Sequence, residues 1–195
     1  MKVSLFVVIM LAGASLMLAG DIPSVSSSLI VGLTNADATV RAKAESELKE
    51  KRKEMITKLM ELAKGSEIPD DTSSTKELAV ILLGEYRATE ATNWLVDNIE
   101  YQVSSITWDM ARAAGYPCVR SLASIGVPSL DAIVTRLEKQ CSEKEMKLFA
   151  TVFQLVDGDD IAPLRAELAM KKTAGQQQRN LEQLVELLKT KQWYF

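Results

Sequence analysis

Histidine is absent from all 195 residues. That one omission removes Ser-His-Asp triads, Cys-His pairs and every metal site built on imidazole. Cysteine occurs twice, at Cys118 and Cys141, and the two are too far apart for a pair at metal-ligand spacing. Aromatic residues make up 6% of the chain and glycine contributes 9 residues, both sparse for a β-sandwich or barrel. No glycine-rich phosphate loop follows a strand pattern. Basic runs are missing too, since residues 49–54 (KEKRKE) interleave both signs as a solvated helix face does. Catalytic residues, a cofactor and a metal are therefore expected to be absent. What is present is ordinary globular composition, 47% hydrophobic and 25% charged, in a chain long enough to bury a core.

The first twenty residues read as a secretory signal: Lys2, an apolar stretch over residues 3–19, and small residues before Asp21. Cleavage after Ala19 or Gly20 suits it, although Met17 or Leu18 is larger than the residue usually found three places back. A lipid anchor would need cysteine after Gly20, where Asp21 stands. The division is thus residues 1–20 as signal peptide and 21–195 as one exported domain, secreted or periplasmic. The alternative is a membrane anchor left uncleaved, for which the apolar stretch is near the lower length limit. With Lys2 removed, 22 basic residues face 26 acidic ones, a formal charge of −4 that disfavours nucleic acid.

A column of apolar positions recurs along the chain at a helix–turn–helix period. Leu48, Leu83 and Leu122 begin it, about 35 and 39 residues apart. In each second helix a triplet follows at i, i+3, i+4: Ile56, Leu59 and Met60, then Ala91, Trp94 and Leu95, then Leu130, Ile133 and Val134. Ile161, Leu164 and Leu168 are expected to play that part in a shorter fourth unit, with its turn at Gly158 matching Gly126. Ser74 with Glu77, and Ser142 with Glu145, have capping-box spacing and predict the starts of first helices. Gly126-Val127-Pro128 and Asp157-Gly158-Asp159-Asp160 each close one helix and open another. Pro117 predicts a short or kinked first helix in the third unit, and the two helices of the first unit, which lacks a turn glycine, are expected to run together near Lys51. A last helix over about residues 176–191 caps the stack.

Residues 76–86 (KELAVILLGEY) with 90–95 (EATNWL) resemble a HEAT repeat of the short bacterial type, as found in phycobilisome-lyase-like repeats. Residues 122–126 (LASIG) with 128–133 (PSLDAI) are similar to the next copy, and residues 37–41 (DATVR) to the family's opening. The resemblance covers about residues 29–172 and implies an all-α fold, an α-α superhelix of about four helical hairpins plus the capping helix. It specifies architecture better than function.

Few side chains stand out as sites. Cys118 near the start of a first helix and Cys141 just past the second lie within roughly 8 Å along the axis of an antiparallel pair, so a disulfide and two free thiols are both open. Trp108 and Tyr101, in the irregular stretch over residues 100–115, are the candidate contacts for a partner; the alternative for Trp108 is to fill the gap left by the kinked third unit. Asp157 to Asp160 suggests calcium, but an EF-hand starting at Asp157 would need Glu at its twelfth position, where Leu168 stands; a turn is expected instead. Trp193-Tyr194-Phe195 is expected to fold back over the last helix or to be read by a partner.

The function these readings favour is a protein-binding or scaffold module outside the cytoplasm, with no enzyme activity and no membrane insertion once the signal is removed. Two alternatives stand beside it: a structural envelope protein tethered by its N-terminus, and a bilin-lyase-like enzyme, which the family resemblance alone brings in.

Overall fold

A computed structural model describes residues 31, 33, 35–65, 72–102 and 115–190. Residues 1–20, Trp108 and residues 193–195 lie outside the described residues. The described residues are helical, with no strand among them. The chain forms two compact units, residues 1–58 and 59–195.

Helix α1 (Ala38–Lys64) begins in the first unit and ends in the second. Asp37 caps it: its Oδ1 accepts from the backbone N–H of Thr39 at 2.7 Å and of Val40 at 3.3 Å. Those two donors hold the Asp37 carboxyl below the usual carboxylate range. Glu47–Lys51 and Glu54–Lys58 pair at i, i+4 on the solvated side, while Ala44, Met55 and Ile56 are buried. Gly65, at φ 74, then lets the chain turn left-handed past the helix end. The helix is continuous for 27 residues and passes Lys51 without a break.

The second unit continues with α2 (Thr72–Glu85), a 3-10 turn (Thr89–Ala91), α3 (Thr92–Asp97), α4 (Pro117–Ile125), α5 (Val127–Arg136), α6 (Glu143–Met170) and α7 (Gly175–Thr190). Helix α2 starts two residues before Ser74, which therefore sits inside the helix and not at its cap. At the other end, Ala88 N–H donates to Leu83 O and Arg87 N–H to Gly84 O, both within 2.9 Å. That is the double closure which favours glycine at the left-handed position. Here Arg87 occupies it, at φ 48. Helix α4 is short because Pro117 opens it, and Gly126, at φ 85, ends it and starts α5 in one residue. The Ser142 and Glu145 capping box opens α6, with Glu145 N–H donating to Ser142 Oγ at 3.0 Å and Ser142 N–H to Glu145 Oε2 at 2.8 Å. Gly158, at φ 76 and ψ 173, breaks α6 where the turn was expected.

Packing joins alternate elements as well as chain neighbours such as α3 and α4 or α5 and α6. Helix α2 lies against α4 and α4 against α6, while α3 lies against α5 and α5 against α7; α6 also packs on α7. The apolar column accounts for much of this core. Leu83, Leu122, Ala91, Leu95, Leu130 and Ile133 are fully covered, with Phe149 and Phe153 filling the middle of α6. Leu48, Met60, Trp94 and Val134 are only half-buried.

The fourth triplet is corrected by the structure. Ile161, Leu164 and Leu168 are 50%, 58% and 56% exposed, and Ala162 and Ala166 are the residues that turn inward. The i, i+3, i+7 spacing does place the three leucine-type side chains on one face, but the face that meets the neighbours is the alanine face, where small side chains let helices approach closely.

Candidate functional site

Three polar clusters and two cysteines are the places where this helical frame presents chemistry. The first cluster surrounds Tyr101, which follows α3. Its ring lies beneath Lys76 of α2, with Nζ 4.5 Å from the centroid, and the residue is half-buried. Burial raises the phenol above its ordinary range, and the nearby Glu77 and Cys118 add to the rise. Tyr101 thus leans on its own chain with part of its surface left for contact. Trp108, its companion in the sequence reading, lies outside the described residues. A similar cation–ring contact holds Lys144 over Tyr116 at 5.2 Å, just before α4.

Cys118 is fully covered on the first turn of α4. Burial pushes its thiol up to about 12 against the opposing pull of Lys76, so it is a protonated core side chain and not a nucleophile. Cys141, between α5 and α6, is half-buried and turns toward Arg136 Nη1 at 3.4 Å and Lys139 O at 3.5 Å. Both cysteines are free thiols in the structure. Burial also raises the Cys141 thiol, with Arg136 drawing it back down. A thiol reagent added to the native protein is expected to modify Cys141 and to leave Cys118 unlabelled until the chain unfolds. Peptide mapping after alkylation checks this, and rapid labelling of both contradicts it. Because the folded value of Cys118 lies above the ordinary 9.0, its contribution to stability is complete below that value and is lost as pH climbs toward about 12.

The second cluster, which the sequence reading missed, centres on Arg136 at the end of α5. Its Nη2 lies 2.7 Å from Glu145 Oε1, its Nε 3.5 Å from Asp97 Oδ1, and its Nη1 donates to Gln140 O at 3.2 Å. Ser142 Oγ, already part of the capping box, donates to Glu100 Oε1 at 2.7 Å. One guanidinium and one capping box therefore tie the end of α3, the end of α5 and the start of α6 together. The Ser142 and Glu145 spacing was legible as a cap, but nothing in the sequence spacing pointed Arg136 at it.

Around the Gly158 break, the Asp157 carboxylate is held by the Arg165 guanidinium, and Gln154 Nε2 donates to Asp159 Oδ1 at 2.5 Å. The acidic run thus acts as a turn with its first carboxylate engaged by arginine. Among the described residues no group of three His, Cys, Asp or Glu side chains is placed to hold a metal ion, and no helix is long and apolar enough to cross a membrane.

The exposed side of the 3-10 turn, α3 and α5 is mixed: Glu90, Asn93, Asp97, Asp131 and Thr135 are exposed there, three of them acidic, together with the apolar Val127 and Pro128. No family model matches the sequence, and neither the search of curated proteins nor that of solved structures returns a match.

Proposed function

We propose that this chain is an exported stack of HEAT-like helical hairpins that works by holding a protein partner and not by catalysing a reaction. The observation that carries the reading is the alternate packing of α2 on α4 on α6 and of α3 on α5 on α7, the contact pattern expected when successive hairpins stack in parallel. Such a stack presents its second helices as an extended surface for another protein. On this chain that surface carries Glu90, Asp97 and Asp131, so a partner offering lysine and arginine side chains fits it best. Tyr101, half-buried beside α3, supplies an aromatic contact at its edge. Export follows from the signal-like residues 1–20, and the mature chain is then expected to begin near Asp21.

Crosslinking in the producing cell, followed by mass spectrometry of the captured chain, tests both parts. The mature N-terminus read from the same sample is expected near Asp21; an intact Met1 on the membrane-bound protein would favour the tethered alternative. A specific crosslinked partner is expected from the wild type and lost from the variant Asn93→Lys with Asp131→Lys, which adds one positive charge and reverses one negative charge on this face. Both positions are exposed, so the fold should stand. An unchanged set of crosslinks in that variant would sink the assignment of this face.

A further inference from the structure

The second half of α6 carries an apolar stripe whose two ends bear opposite charge. Ile161, Leu164 and Leu168 are 50%, 58% and 56% exposed and share one helical face. Asp159 and Asp160 precede the stripe and Lys171 and Lys172 follow it, all four exposed. Asp160 stands at i−4 from Leu164 and Lys171 at i+3 from Leu168, so these two charges lie along the same flank of the stripe, about 16 Å apart. Glu167, on that flank too, takes Lys189 of α7 at 2.6 Å. The opposite flank holds Arg165, whose Nη2 lies 3.1 Å from Asp157 Oδ1 and which Asp131 of α5 also draws on.

A stripe that is negative at one end and positive at the other is complementary to itself turned end for end. A two-fold axis beside Leu164 and Arg165 sets Ile161 against Leu168 of a second copy and Leu164 against Leu164. Such an axis keeps each flank on its own side, so Asp160 meets Lys171 at both ends of the contact. We propose that this face pairs two copies of the chain, antiparallel, through the second half of α6. A uniformly cationic segment would meet Lys171 and Lys172, and an anionic one Asp159 and Asp160, so neither fits the whole stripe as the reversed copy does. The two Arg165 guanidiniums come near the axis on the other flank, each with its own Asp157 to offset the charge. Three half-exposed aliphatic side chains give an apolar patch on the order of a few hundred Å², below the roughly 800 Å² per partner of a standard interface. The pair is therefore a reversible one that forms as concentration rises. It rests on α6 alone and is separate from the partner proposed for α3 and α5.

Sedimentation equilibrium of the chain purified from its producing cell tests the pairing, with far-ultraviolet circular dichroism of every variant as the check on folding. The wild type is expected to pass from monomer to dimer as concentration rises, and Leu164→Asp to weaken that step by about tenfold or more. Leu164 is 58% exposed, so the substitution is compatible with folding; Ile161→Asp takes its place should the first lose its helix signal. Asp160→Lys and Lys171→Glu alone are each expected to dimerise a few-fold more weakly, since each sets like charges together at both ends. Mixed in equal amounts, the two variants are expected to recover wild-type association, because opposite charges then meet again at both ends. A wild type that stays monomeric throughout overturns the proposal, as does self-association that Leu164→Asp leaves in place. Mixed variants that associate no better than either alone overturn the antiparallel arrangement and the proposal with it.

Discussion

Gly84→Ala is expected to destabilise the protein by about 2–3 kcal/mol in urea denaturation, although alanine is the better helix former by about 1 kcal/mol. Gly84 lies inside α2 and not in a turn, and a Cβ built on it would stand 2.5 Å from the Cα of Ser121 on α4. The obstruction is backbone, so the side chain cannot rotate away and the two helices must part. Parting them stretches the hydrogen bond that Ser121 Oγ donates to Val80 O at 2.7 Å, in a buried place where no water replaces it. Gly84→Val, with two further methyl groups against the same backbone, is expected to cost more still. A gain in stability from Gly84→Ala, the sign that helix propensity alone gives, would show that α2 and α4 do not meet there.

Removing Arg136 is the second large effect. Arg136→Met is expected to cost about 2–4 kcal/mol, toward the lower end of the range for breaking a buried pair because both side chains are 16% exposed and solvent screens part of the charge. The loss comes mainly from the Glu145 carboxylate, which keeps its Ser142 N–H donor but loses its cation in a covered site. Arg136→Lys is expected to recover only part of it, since an ammonium cannot reach Glu145, Asp97 and Gln140 together as the planar fork does. Paired with Glu145→Gln in a double-mutant cycle, the two substitutions should be clearly non-additive. Additive losses would mean that the pair contributes nothing beyond each residue's separate packing.

Much of the fold was legible because it depends on short-range rules. The glycines at 126 and 158 take left-handed backbone where the sequence placed helix ends, and Pro117 opens the short helix it was expected to shorten. The Ser142 and Glu145 box forms, while Ser74, with the same spacing to Glu77, lies within a helix that begins at Thr72. A capping box is a local contest, and longer helical continuation upstream can win it. The candidate site was far less legible. Of the two aromatics expected to meet a partner, Tyr101 is half-buried with Lys76 over its ring, a residue 25 positions away in sequence whose approach no local pattern encodes.

Periodicity determined which side chains share a helical face, and glycine, proline and the caps determined where most helices end, because both follow from the geometry of a single turn. Which face turns inward was decided by the tertiary structure. Ile161, Leu164 and Leu168 share one side of α6 as their spacing requires, yet Ala162 and Ala166 are buried in their place. A face is a property of one helix, whereas its direction depends on how closely two helices can approach, and small side chains can win that position from larger and more apolar ones. The same reason hides Gly84 against Ser121 and gathers Asp97, Arg136 and Glu145 around one guanidinium: each needs two elements to meet before its chemistry exists.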